Sequence, residues 1–127
     1  MSIVGLGTRI IECVKVSELL DGHAENFILH VYTDREAAYC RSRTHTTEYY
    51  TAIWAAKEAV FRSLGMKWKR GIDWRDVEII CESSAEPRVE VSGATSERMD
   101  TLGVGKILVS FSHTRHYATA TALALRA

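Results

Sequence analysis

No stretch of this sequence is rich in proline, glycine or serine, none is of low complexity and none repeats, so nothing in it marks a linker or a solenoid. A chain of 127 residues without such a break has the size of one domain. Residues 1–127 are therefore expected to form a single domain with its own core. Charge of either sign is not in excess: 16 Lys and Arg stand against 16 Asp and Glu, which removes the basic surplus of a nucleic-acid binder. No apolar run approaches the roughly 18 residues of a membrane-spanning helix, and MSIVGLGTRIIE lacks the basic region and apolar core of an export signal. A cytoplasmic protein is expected. Cys13, Cys40 and Cys81 are odd in number, widely spaced and outside any CxxC or CxxH pattern, against both a disulfide framework and a structural zinc. The five histidines form no HxxxH or HExxH pair, against a zinc enzyme, and GLGT at 5–8 lacks the third glycine of a dinucleotide fingerprint.

What is there falls into two halves of different period. SIVGLG, an apolar run closed by glycines, reads as a strand entering a turn. SELLDGHAENFILHV has helical character interrupted at Asp21-Gly22. Thr33 with Glu36 three residues on is a capping box, each side chain satisfying the other's backbone donor, and starts a short helix in TDREAAYCRSR. From about Thr47, Tyr49, Ile53, Ala56, Val60 and Leu64 recur at the three-and-four spacing of one helix face, and Gly65 suits the left-handed residue that ends such a helix. Trp54, Glu58 and Phe61 line a second face, so this helix is expected to be central. Beyond it, alternation around Val77–Cys81, Val89–Val91, Ile107–Phe111 and YATATALAL predicts strands, with a short helix in ATSERMDTLG and a tight turn at 113–116. Ala118, Ala120, Ala122 and Ala124 share one strand face, against which the central helix can lie close. The pattern predicts an α+β fold with a long helix packed on a largely antiparallel sheet.

Two places can carry chemistry. Glu58, mid-helix among apolar residues, must be solvated, paired or bound to a cation; Arg62, at i+4, is the local partner. Lys57 lies roughly 100° away around the helix and serves another surface. The second place is SFSHTRHYA, where Ser112, His113, Thr114, Arg115 and His116 gather at a strand end and turn. They form either an anion site or simply a solvated hairpin tip. A Ser/His hydrolase is disfavoured, because neighbouring strand residues point to opposite faces and no acid partner is evident. Arg98, Asp100 and Asp73 are read as solvated.

Taken in order, GLGT-x-IIE, TDRE, WAAKEAVFRSLG, GIDWRDVEI, EPRVEVSG and VSFSHTRHYATATA resemble the holo-acyl-carrier-protein synthase family of phosphopantetheinyl transferases over nearly the whole chain. The resemblance implies transfer of the 4′-phosphopantetheine arm of coenzyme A to a serine of acyl carrier protein in fatty acid biosynthesis, in a homotrimer with sites at subunit interfaces. It also implies a magnesium ion bridging carboxylates and the diphosphate. By the same resemblance Glu58 is the metal-binding glutamate, Lys57 faces the phosphates or an ion pair that orders the site, and Arg62 stands where lysine is common. Gly65 is the helix-ending glycine beside the coenzyme, and His113 and Thr114 belong to the turn that contacts its nucleotide end.

The chain also departs from the family pattern. Arg9 occupies the position of the other metal-binding carboxylate, where it is expected either to pair with Glu58 or to contact the diphosphate. Ile53 replaces a common arginine. The stretch VKVSELLDGHAENF, usually basic for docking an acidic carrier, sets Lys15 against Glu18, Asp21 and Glu25; Arg35, Arg41 and Arg43 are the alternative docking cations. Two functions follow as alternatives: a transferase in which Glu58, with Glu12 and water, still binds magnesium, and a noncatalytic relative that binds coenzyme A or a partner.

Overall fold

The computed structural model describes residues 2–66, 72–82 and 86–127. Its elements run β1 (Ile3–Glu12), α1 (Cys13–Val31), α2 (Asp34–Arg41), α3 (Thr46–Ser63), β2 (Val77–Ile80), β3 (Arg88–Val91), α4 (Gly93–Leu102), β4 (Val104–His113) and β5 (Tyr117–Arg126). Strands pair antiparallel throughout, in a three-stranded sheet of order β1-β5-β4 and a two-stranded sheet β2-β3. The α+β expectation holds, with α3 lying across the larger sheet. Among the described residues no helix is long and apolar enough to cross a membrane.

The row of small residues acts as the sequence suggests. Ala118, Ala120, Ala122 and Ala124 are all buried beneath α3. The neighbouring strand goes further, because Gly5 and Gly7 bring its backbone onto α3: a Cβ at Gly5 would run into the carbonyl oxygen of Ser63, and one at Gly7 into that of Ala59 and within 2.6 Å of Ser63 N. This corrects the turn expected at GLG. β1 continues to Glu12 because its glycines serve close helix–strand approach, not a reversal.

Local signals of helix ends hold well. Thr33 and Glu36 form the reciprocal capping box that opens α2. α1 is bent at His23 (φ −145°, ψ 43°), next to Gly22. α3 closes in a Schellman arrangement: Gly65, at φ +69°, donates to Arg62 O and Met66 donates to Phe61 O. The segment GIDWRDVEI is structural. Trp74 is buried edge-on to Trp54 and Phe61, Asp76 accepts from Thr95 N at the start of α4, and Glu78 accepts from Thr33 Oγ1. Its first residue, Gly71, lies outside the described residues.

α3 also carries an ion pair in the core. Lys57 is fully buried and donates to Glu36 Oε1 at 2.6 Å. Glu36, itself 1% exposed, accepts further from Thr33 N and Ile79 N. Burial pushes the Glu36 carboxyl up and the Lys57 ammonium down, while each partner opposes the other's shift. With three donors on one carboxylate, the pair ties α2, α3 and β2 together.

Two predictions follow from this packing. Gly7→Ala is expected to cost about 1–3 kcal/mol or more, through a clash with helix backbone that no rotamer relieves. Gly22→Ala, where nothing lies within 4 Å of an added Cβ, should stabilise by about 0.5–1 kcal/mol; thermal unfolding of the two variants checks the contrast. Lys57→Met should cost about 3–5 kcal/mol by stranding the Glu36 charge, and adding Glu36→Gln to it should restore part of that loss. Losses that simply add in denaturant unfolding, with Glu36→Gln also measured alone, would show the pair to be uncoupled.

Candidate active site

A cleft of about 550 Å³ opens between the first half of β1, the last turns of α3 and residues 72–74. Its polar wall is Gly7, Thr8, Glu58, Arg62 and Gly65; Leu6, Phe61, Met66, Ile72 and Trp74 supply the apolar part. The strand and the helix converge here because Gly7 lets them touch.

Glu58 is nearly buried, and its Oε2 accepts a hydrogen bond from Arg9 Nε. The long-range partner corrects the local one: the guanidinium on Glu58 belongs to Arg9, on β1, and Arg62 instead reaches Thr8 O at 3.4 Å. Of the two roles open to Arg9, the structure contains the pair. Lys57 is corrected as well. It is absent from the cleft wall and, of its two expected roles, fills the ion pair with Glu36.

The C-terminal end of a helix is the negative end of its dipole, a poor place for an anion. Here its carbonyls are engaged. Those of Phe61 and Arg62 are taken by the Schellman cap, and that of Leu64 accepts from Arg98 Nε at 3.3 Å. Arg98 sits so close that a Cβ on Gly65 would lie 3.5 Å from its Nη2. Arg98 is exposed, as the sequence reading expects, and its bond to Leu64 O is a contact that nothing in the local sequence of α4 signals. Arg62 lines the cleft, Arg9 is bonded to its one lining carboxylate and Arg98 lies beside Gly65, so cations outnumber carboxylates here among the described residues, a balance suited to an anionic ligand.

That donor set does not fit a resident magnesium ion. Glu58 is the one carboxylate among the lining residues and is already engaged by a cation. Among the described residues no group of three or more His, Cys, Asp and Glu side chains is placed to hold a metal. Glu12 is no second ligand, since it is exposed and lines a different cavity with Arg115 and His116. Ile53 is fully buried in the core.

His113 and Thr114 lie elsewhere. His113 Nδ1 is 3.0 Å from Glu48 Oε1 and its ring packs edge-on to Tyr49. Thr114 Oγ1 accepts from the backbone of His116 and Tyr117, closing the turn. Glu48 and Glu58 are ten residues apart on α3, about 15 Å along its axis. One chain thus holds Glu58, Arg62 and Gly65 together, and His113 with Thr114 at the other end of the helix. Of the alternative docking cations, Arg43 is half-buried over the rings of Tyr39 and Tyr49, whereas Arg35 and Arg41 are exposed.

Comparison with known proteins places the chain by family and fold. The sequence model of the 4′-phosphopantetheinyl transferase superfamily matches residues 5–122. The holo-[acyl-carrier-protein] synthase of Chlamydia caviae is 36% identical over 125 residues, covering 98% of this chain and 99% of its own; that of Rhodopirellula baltica is 32% identical over 120 residues, covering 94% and 95%. Among solved structures, the holo-ACP-synthase of Plasmodium yoelii superposes with a TM-score of 0.84 at 27% identity, covering 99% of this chain and 97% of its own. A Bacillus anthracis holo-(acyl-carrier-protein) synthase, in complex with coenzyme A (3′,5′-ADP), shares the fold with a TM-score of 0.79 at 23% identity, covering 98% of each chain. With strand, helix and turn motifs each placed in that fold, the chain belongs to the holo-acyl-carrier-protein synthase family of the 4′-phosphopantetheinyl transferase superfamily.

Proposed function

We propose that this protein transfers the 4′-phosphopantetheine group of coenzyme A to a serine of acyl carrier protein, in support of fatty acid biosynthesis. The carrying observation is the cleft, which joins the GLGT strand to the KEA helix and surrounds Glu58 with guanidinium groups suited to a diphosphate. In the transfer, the serine oxygen bonds to the pantetheine-side phosphorus, the bond from that phosphorus to the bridging oxygen breaks, and adenosine 3′,5′-bisphosphate leaves. The hydroxyl proton passes to solvent or to the departing bisphosphate oxygen in the same exchange. Arg62 stabilises charge on the phosphoryl oxygens, and the apolar wall around Trp74 limits water at the reacting phosphorus. Magnesium has no place in this reading, because Glu58 is committed to Arg9.

A homotrimer with shared sites goes with this reading, as does a cytoplasmic location. Two features support the assembly. His113 and Thr114 lie at the far end of α3 from Glu58, so a neighbouring copy is the natural source of the nucleotide-side contacts. The outer face of the larger sheet also exposes Ile3, Leu6 and Ile10 on β1, Leu108 on β4 and Tyr117 on β5, an apolar surface suited to a second copy.

The test is incubation of the purified protein with coenzyme A and the apo-carrier of the same organism, followed by carrier mass and released adenosine 3′,5′-bisphosphate. Transfer is expected, and Arg62→Met should slow it by about 10²-fold. An unmodified carrier would leave a noncatalytic relative as the better description, one that the occupied Glu58 already favours. Light scattering should return a trimer, and Ile10→Lys should give a folded monomer without transfer.

A further inference from the structure

We propose that Arg9 takes the place of a divalent cation: its guanidinium, anchored by Glu58, binds the diphosphate of coenzyme A directly, and this chain holds its co-substrate without a metal ion. The proposal rests on the transferase reading above and assigns a ligand contact within that site.

Arg9 faces α3 from β1 and uses one nitrogen, Nε, on Glu58. Its Nη1 and Nη2 have no hydrogen-bond partner among the described residues. Those two nitrogens carry four of the five guanidinium N–H groups, in the planar fork that grips two phosphate oxygens at once. The side chain is 35% exposed while the Glu58 side chain is 7% exposed, so the carboxylate is a wall-bound anchor and the guanidinium reaches solvent. Anchoring removes rotamer freedom before the ligand arrives, which leaves less entropy to lose on binding.

Charge leads to the same assignment. Arg9 and Arg62 contribute two positive charges and Glu58 one negative, a net of one positive without any metal. A divalent ion introduced beside Glu58 would meet the Arg9 cation at close range and find one oxygen already engaged. A diphosphate meets unengaged donors and a positive field.

Calorimetric titration of coenzyme A into the wild-type protein, in EDTA and in excess magnesium, tests this. A second titration uses Arg9→Gln/Glu58→Gln, with circular dichroism to confirm the fold. The expected result is a wild-type Kd that differs by less than about twofold between buffers, and a double variant about tenfold weaker in both. The double variant separates the two roles of Arg9, since it removes the guanidinium and the charge it neutralises together. Wild-type affinity in the double variant would reduce Arg9 to a partner of Glu58 and overturn the proposal. So would tightening of the wild type by about tenfold or more with magnesium, which leaves the transferase reading intact. A wild-type protein that binds coenzyme A in neither buffer overturns the transferase reading itself, and the proposal with it. The buffer comparison needs no substitution and decides the question even if the double variant fails to fold.

Discussion

Helix α3 is covered on nearly every side, and two adjacent ionisable residues in its middle must therefore each meet an opposite charge. Lys57 and Glu58 are one residue apart, so the helix turns them roughly 100° away from each other. One points into the layer formed with α2 and β2, where Glu36 receives it; the other points to β1, where Arg9 does. The first pair closes the core, and the second holds Glu58 on the cleft wall. Both depend on backbone contacts made elsewhere: the capping box that aims Glu36, and the glycines that bring β1 against α3.

The origin of each contact decides how much of this was legible in the sequence. Signals within a few residues read correctly, as in the capping box at Thr33, the left-handed Gly65 and the break beside Gly22. Period also served, since the alanine row and the strands of the second half lie where alternation puts them. Contacts across long separations did not show. Glu36 and Lys57 are 21 residues apart, and Arg9 and Glu58 are 49, so local spacing instead offered Arg62 to Glu58. The glycines of β1 misled for a related reason: a turn and a close helix contact demand the same missing side chain, and only the partner helix distinguishes them.

The location of the cleft raises a problem that the local chemistry answers. A phosphate ligand is more often met at a helix N-terminus, where backbone donors and the dipole favour it. This cleft lies by the C-terminus of α3. The Schellman cap and Arg98 engage the carbonyls of Phe61, Arg62 and Leu64, leaving the exposed charge to be set by side chains. Gly65 contributes by adopting the left-handed turn.

Arg9 also separates electrostatic attraction from coordination. A metal ion concentrates two charges at one point and demands several oxygen ligands in fixed geometry, whereas a guanidinium spreads one charge over a plane of directed donors. At an effective dielectric of 20, two unit charges 4 Å apart interact by about 4 kcal/mol. A single anchored arginine therefore supplies a substantial part of the attraction for a diphosphate, though not the Lewis acidity. Binding survives such an exchange more readily than the chemical step, because ground-state attraction needs only charge, while the developing charge on the leaving oxygen must be met at the transition state. Arg62, which reaches Thr8 O on β1, and Arg98 beside Gly65 are the remaining cations for that second task.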